Sequence, residues 1–577
     1  MPASNRPPVR YALMALGVAA RRQLGAEWRG SALHRALLSG PRPDGLGASP
    51  RDLRPADPEN GRRILAGALV FGGETLAPGP RGDPWDRASP SRRFAIALHR
   101  FGWLRDLLAL GEPGAAEGLR LTLEWRRLFG RWNAFSWSPA VLEHRVFNLA
   151  CGLRTLCAGA SEAETAKIAA DLARQARFLL GVVGGPARAS ERAAAAAVAA
   201  TALGGRAGGV LLDRALRRLA QTLPDSLSHD GGHASRSPQA ALELFFDLAT
   251  LDDALAQLGI AAPDEMQRAI DRLASAVRFF TLADGRLAAF QGGEELTAPY
   301  VVAARAQDEA GERALPPHSN GYHRLEARSL QVVVDAGAPA PGAWSTTACA
   351  QPLAIEVLAG GRRLVVGGGW TPESHGPQAL RLVDAASTLS VGEAACGEPL
   401  SGFSARVLGP RLYGACEEVE ARRHEAPGAL WLELAHQGWA RAFGFRHERR
   451  LYIDVEADEL RGEDRLSPLL VRGPRNTDGR RFVPVAVRFH LHPQVSALIA
   501  RDKTGVLLKA EGEERGWWLR SDAADVSLEP SIHYQGGQAR RSQQIVLRGQ
   551  ARLDAGARIR WKLSAAQSRV DAEDPPA

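Results

Sequence analysis

Between residues 353 and 369 the chain reads LAIEVLAGGRRLVVGGG. Two short apolar runs flank Gly360-Gly361, and a two-residue glycine turn between such runs specifies a β-hairpin. Just upstream, SLQVVVDAG (329–337) has the same strand character. Downstream the pattern recurs in STLSV, RLYGACEEVEARR, LWLELAHQ, RRLYIDVEADEL, VAVRFHLHP, VSALIARDKTGVLLKAEGEERGWWLRS, QQIVLRGQARL and RIRWKLS. Many short strands separated by turn signals predict an antiparallel sandwich, not a parallel sheet.

Before about residue 320 the period changes. RRFAIALHRFGWLRDLLAL (92–110) spaces its apolar residues three and four apart, as a half-buried helix requires. PAVLEHRVFNLACGLRTLCAG follows from Pro139, then EAETAKIAADLARQARFLLGVV and the alanine-rich SERAAAAAVAATAL (190–203). GGVLLDRALRRLAQTL, PQAALELFFDLATLDDALAQLG and DEMQRAIDRLASAVRFFTL complete the series. Short Gly/Pro breaks between helices predict antiparallel neighbours, and paired helices in such a string close into a toroid. The expected architecture is an N-terminal (α/α) toroid followed by a C-terminal antiparallel β-sandwich. Its parts are a lead-in segment (1–90), the toroid (91–315), the sandwich (316–568) and a disordered tail (569–577). Within the lead-in, PADPENGRRILAGALVFGGET (55–75) reads as a turn and a short strand pair.

Composition is that of a globular protein: 45% of the 577 residues are hydrophobic and 24% charged. The net charge of +8 is carried almost wholly by arginine, with lysine only at 167, 503, 509 and 562. Arginine forks suit carboxylate, sulfate or phosphate, so an anionic partner fits; a GC-rich codon bias accounts for the same numbers. No compact basic block or nucleic-acid motif is present. The five cysteines have no zinc or redox spacing and imply no disulfide framework. Arg6 and Arg10 precede a short apolar run, Tyr11 to Ala20, which Arg21-Arg22 ends. It has no clear cleavage site and cannot span a bilayer, so it reads as a helix packed on the body, with a membrane-surface helix or atypical export signal as alternatives. A cytoplasmic location is expected on that ground, with the periplasm as the alternative. No feature specifies an oligomer.

Several strings resemble the heparinase II/III-like family. DPENGRRILAGALVFGGE is similar to that family's lead-in, DGGHASRSP (230–238) to its DGGH-x-x-R-x-P loop, HSNGYHRLEA (318–327) to its junction, and HERRLYIDVEADELRGEDRL and RFHLHPQV to two sandwich strands. The resemblance spans about residues 55–550 and implies a polysaccharide lyase that β-eliminates an acidic, uronate-containing, glycosaminoglycan-like polymer. That chemistry needs a group to neutralise the carboxylate, a base and an acid. The family's Asn position falls on Ser190, Glu191 and Arg192. Its Tyr-His after Ser-Pro falls on Ala240 and Ala241, and two further His positions are Cys349 and Ala386. The metal-binding His and Asp of some members have no counterpart.

The expectation is therefore a lyase with an altered catalytic set, or a non-catalytic glycan-binding or envelope-polysaccharide factor on the same fold. His233 lies in a glycine-flanked loop, where Asp230 would orient it and Arg236 would hold a carboxylate. Tyr322, with His323 and His318 nearby, sits at the expected domain junction and is the candidate acid or base. His144, Arg145 and Asn148 share a helix and are candidates to bind substrate, as are Trp132 and Trp137, whose faces suit sugar rings. Each has a structural alternative: a capped loop, an interface aromatic, an interhelix ion pair or simple packing. His490 and His492 share a strand face but lack a third ligand, so no metal or other cofactor is expected.

Overall fold

The computed structural model describes residues 7–182, 185–308, 315–372, 377–469 and 481–566. The main helices run from Val9 to Arg305 and the two large sheets from His318 onward. The tail expected at 569–577 lies outside the described residues.

The alanine-rich segment becomes the central helix, Ala189–Thr201, which packs against Pro139–Cys157, Glu162–Leu180, Gly205–Ser226 and Pro238–Gln257. Ala193 through Ala200 are at most 1% exposed. A helix touched by four others has no room for long side chains, so methyl groups set its spacing. Local chemistry sets the helix starts. Ser161 and Glu164 form a reciprocal capping box, and Ser237 caps the helix that Pro238 opens, its hydroxyl accepting from the Ala240 amide at 3.3 Å.

All pairings within the two large sheets are antiparallel. One has eight strands, in the order Val419–Ala426, Ala429–His436, Phe445–Asp454, Glu459–Pro468, Ala557–Ala565, Trp517–Ser521, Gly505–Ala510, Val495–Ile499. The other has nine and carries the expected hairpin: Ile355–Ala359 pairs with Arg362–Val366, with Gly360 and Gly361 at φ +60° and +75°. The two sheets bury a shared core of Val, Leu, Ile and Trp.

A polar chain crosses that core. The Gly438 amide donates to His436 Nδ1 (3.0 Å), His436 Nε2 pairs with His447 Nδ1 (3.1 Å), and His447 Nε2 pairs with Asp464 Oδ1 (2.9 Å). Burial pushes both imidazoles down, so each is neutral and donates in one direction along the chain. Arg449 meets the same carboxylate and also donates to the Leu353 and Ser387 carbonyls (2.7 and 3.1 Å), which belong to the opposite sheet's side.

One local expectation is corrected and another, the N-terminal helix packed on the body, is met and extended. DPENG starts a helix, Pro58–Leu65, because Asp57 accepts the Glu59 and Asn60 amides and Pro58 occupies the first turn. The short strand pair follows it, at Leu69–Phe71 and Glu74–Leu76. The N-terminal run extends into a helix, Val9–Gly30, that packs by one face only. Tyr11, Ala15, Val18 and Ala19 meet Leu400, Val407, Leu408 and Tyr413. On the outer face Val9, Leu13, Leu16 and Leu24 are 58–74% exposed. Among the described residues no helix is long and apolar enough to cross a membrane.

Candidate functional site

The toroid encloses a cleft of about 450 Å³. Helix Pro139–Cys157 contributes His144 and Asn148 to its wall, four residues apart and so on one face. Arg145, one residue on, points the other way. It is fully buried, its Nε donates to Gln175 Oε1 (2.8 Å), its Nη1 to the His99 carbonyl (3.1 Å), and its guanidinium lies 4.3 Å from the centre of the Trp125 ring. The expectation that Arg145 faces the cavity is overturned by the 100° turn per helical residue.

Three of the arginines that line the cleft, Arg54, Arg105 and Arg188, are paired with carboxylates. Arg54, from the lead-in, donates to Glu243 Oε2 (2.8 Å), Asp247 Oδ1 (2.6 Å) and Asp52 Oδ1 (3.2 Å), between the Phe147 and Phe246 rings. Arg105 holds the other Asp52 oxygen at 2.6 Å, and Arg188 pairs with Glu143 and lies 3.7 Å from Glu191. Burial pushes Asp247 up to about 7 against the pull of Arg54, and raises Glu143. Burial, then Arg100, Arg188 and Arg54, pushes His144 well down, so it stands neutral. A cleft built to hold a polyanion would leave guanidiniums uncompensated; here carboxylates interleave with them.

The positions expected to carry proton transfer are empty of it. Ala240 and Gln239 line the cleft after Pro238, so the place the resemblance gives to Tyr does face the cavity, but with a methyl group. Ser190 is wholly buried, its hydroxyl 2.8 Å from that of Ser226. Cys349 is buried, its thiol pushed up to about 11 by burial, and Ala386 is buried.

The remaining candidates do not converge. Tyr322 is fully buried, its hydroxyl donates to the Arg236 carbonyl (2.9 Å), and burial raises it well above the usual phenol range. It is an interface aromatic packed on Phe280 and Phe290. Arg236 is spent on the Asp335 carboxylate (2.5 Å) and on the Asn320, Gly321, Gly337 and Ala338 carbonyls. His233 is buried between Ser235 Oγ (2.7 Å from Nδ1) and Glu191 (3.4 Å from Nε2). Burial works against the charge of Glu191, yet Arg188 and His233 hold it down at about 2. Asp230 accepts the Asn320 amide (2.7 Å) and has His318 at 4.0 Å. Asp230 and Arg236 do line a separate groove of about 780 Å³ beside helix Val9–Gly30. Trp137 is buried, donating to the Phe129 carbonyl (3.0 Å), and Trp132 packs on the helical core next to Gly30. Both tryptophans pack, and neither lines the toroid cleft. Tyr322, Arg145, His233 and Trp137 are buried away from the cleft, whereas His144 and Asn148 line it and Asp230 and His318 lie at the surface.

Sequence reasoning missed Arg54, Asp52, Glu243 and Asp247. The spacing of Glu243 and Asp247, four apart on one helix, was a usable signal. It also missed Glu295 and His533, which meet His492 where the helical part abuts the sandwich. His490 is structural, between Ser531 Oγ (2.7 Å) and the Asp384 carbonyl (3.0 Å).

Known proteins match this arrangement. Residues 312–562 match the heparinase II/III-like C-terminal domain. FtsZ-localized protein C of Caulobacter vibrioides (strain NA1000 / CB15N) is 52% identical over 544 residues, 94% of each chain. A crystal structure of heparinase III superposes with a TM-score of 0.69 at 14% identity, covering 99% of this chain and 94% of that one. Heparan sulfate lyase HepC from Pedobacter heparinus gives 0.55 at 14% identity, over 93% and 88%. The likeness to these two structures is one of fold. From its toroid, its sandwich and its kinship along nearly the whole sequence, the chain belongs to the heparinase II/III-like family.

Proposed function

We propose that this chain is a non-catalytic factor built on a lyase fold, attached to a membrane surface and working in company with FtsZ. The observation that carries this reading is Ala240. It faces the cleft where the resemblance expects a phenol, and neither His233 nor Tyr322, the expected base and acid, lines that cleft. β-Elimination by His233, Tyr322 and Arg236 loses its support because all three are engaged in holding the loop and the junction together. The FtsZ partnership rests on the name of a relative 52% identical.

The surface supports an attachment. On helix Val9–Gly30 the outer residues Val9, Leu13, Leu16 and Leu24 form one apolar strip, and the exposed Arg10 and Arg21 flank it. An interfacial helix of this kind lies in an anionic lipid surface with its apolar face down. We place it at the cytoplasmic face of the membrane, where FtsZ would meet it.

Two measurements test the proposal. Absorbance at the unsaturated-uronate band is expected to stay flat with a panel of acidic polysaccharides. A rise that disappears in a cleft variant such as His144→Ala would overturn the non-catalytic reading, whereas binding without a rise would make the cleft a glycan-reading site. Separately, the protein should co-sediment with vesicles containing phosphatidylglycerol, and with FtsZ filaments. Leu13→Glu with Leu16→Glu should weaken vesicle binding at least about tenfold. Equal binding by that variant would remove the helix from the proposal, and failure to pellet with FtsZ filaments would remove the partner.

A further inference from the structure

Glu295 and His533 are 0% and 1% exposed, His492 5%, and they meet where the helical part joins the sandwich. Glu295 lies in the segment before helix Ala298–Arg305 and forms a bridge with Gln535 at the end of strand Asp525–Gln535, which also carries His533. His492 follows strand Phe482–Leu491 directly. Glu295 Oε2 is 3.2 Å from His492 Nε2 and 3.2 Å from His533 Nε2. One ligand atom from each of the three residues lies within 4.8 Å of the others.

The proton positions make this more than a cluster. His533 Nδ1 is 2.9 Å from the Gly367 carbonyl, an acceptor, so Nδ1 carries the hydrogen. That leaves Nε2, which pairs with Glu295 Oε2, as the nitrogen that a metal would take. His492 Nε2 is buried and makes no hydrogen bond of acceptable geometry, and its Nδ1 is reached only by the Gln494 amide at 3.3 Å. Two imidazole Nε2 atoms therefore face one buried carboxylate oxygen, that of His533 at hydrogen-bonding distance and that of His492 without a hydrogen bond. The two nearest guanidiniums are committed elsewhere. Arg286 binds the other Glu295 oxygen, which Gln535 also reaches at 2.8 Å. Arg363 stands 3.9 Å from Oε2 and is taken up by Asp284 (2.7 Å) and Glu356 (3.2 Å). Glu295, Glu356 and Asp284 thus face Arg286 and Arg363, leaving one carboxylate charge unmatched.

We propose that Glu295, His492 and His533 bind a divalent cation of the zinc class, which staples the helical part to the sandwich. Zinc takes imidazole nitrogen and carboxylate oxygen at roughly 2.0–2.2 Å, so two ligand atoms of a tetrahedral site stand about 3.3 Å apart. The two observed separations of 3.2 Å match that edge. The Nδ1–H···O=C bond of His533 is the outer contact that fixes a ligating imidazole. At His492 the metal would take Nε2 and displace the long Gln494 contact.

The test uses the full-length chain, stripped with chelator and reloaded. Zinc content by mass spectrometry should reach about one equivalent per chain, and Co²⁺ loading should give the intense visible bands of a tetrahedral ion. His533→Gln, and independently His492→Gln, should lower Zn²⁺ affinity at least about a hundredfold and abolish the cobalt bands. Cys349→Ser should change neither, which separates this site from thiol binding. Zn²⁺ should raise the melting temperature of the parent and not of the histidine variants. The proposal is overturned if the refilled parent binds no more Zn²⁺ than His533→Gln, or if cobalt gives only octahedral spectra. Because the decisive comparison includes the unaltered protein, a variant that misfolds does not shelter the idea.

Discussion

Asp464→Ala is expected to lower the free energy of unfolding by about 3–5 kcal/mol, measured by urea denaturation followed by circular dichroism. Asp464 is 1% exposed and accepts from four donors. Arg449 Nε (2.7 Å) and His447 Nε2 (2.9 Å) reach one oxygen, and Arg449 Nη2 (3.1 Å) and Trp561 Nε1 (3.0 Å) the other. Removing the carboxylate leaves a guanidinium charge in the sandwich core, with an imidazole and an indole N–H beside it unpaired. The cost of stranding a buried charge outweighs the loss of any surface pair. Asp464→Asn should cost nearly as much, since its amide turns a donor toward other donors. Joint replacement of Asp464 and Arg449 by apolar residues should recover part of the loss, because it removes the stranded charge. A fall of under about 1 kcal/mol in Asp464→Ala would mean that the pair is not what joins the sheets.

The same carboxylate sets an acid limit. Burial opposes its charge, but Arg449 and His447 win and hold Asp464 well below the usual carboxylate range. A depressed folded pKa means the unfolded chain takes up a proton before the native state does. The contribution of Asp464 is therefore complete above the unfolded value near 4 and declines as pH falls below it. Asp464→Asn should flatten that part of the stability–pH curve.

The second large effect is expected at Arg236. Arg236→Met should cost about 3–5 kcal/mol and speed amide exchange in the loop at 228–238. Its guanidinium joins that loop to the sandwich through Asp335 and four backbone carbonyls, and lies 4.6 Å above the Tyr322 ring. Arg236 also sits at φ +64°, a left-handed backbone that a branchless glycine would adopt more easily, so its side-chain bonds offset a local strain. With methionine there, Asp335 would keep Gln291 as its remaining side-chain donor (2.7 Å) and stay buried without its charge partner. Unchanged exchange rates in the loop would show that the arginine is not its latch.

The value of Arg236 shows where a family motif misleads. DGGHASRSP was a sound signal of loop, helix start and family, and each glycine has a conformational reason, with Gly231 and Gly232 at φ +100° and +81°. The motif does not say that Arg236 and the Nε2 of His233 turn inward, because what they meet lies outside it: Asp335, 99 residues on from Arg236, and Glu191 on another helix. The departures at Ala240, Cys349 and Ala386 were equally legible in the string. Only the fold could say that Ala240 still faces a cleft while Ala386 is buried.

Order along the chain was therefore decided locally. A period near 3.6 followed by a period of two gives the toroid and the sandwich. Capping residues start the helices, and Gly360-Gly361 turns the hairpin. These are properties of neighbouring residues, and propensity and burial periodicity act over a few turns. Convergence was decided by tertiary structure alone. Arg54 meets Glu243 across 189 positions, and His533 meets Glu295 across 238. No periodicity encodes such meetings; they arise when packed helices and paired strands bring distant side chains into one low-dielectric space. There each charge must find a partner, and which partner it finds separates a catalytic group from a structural one.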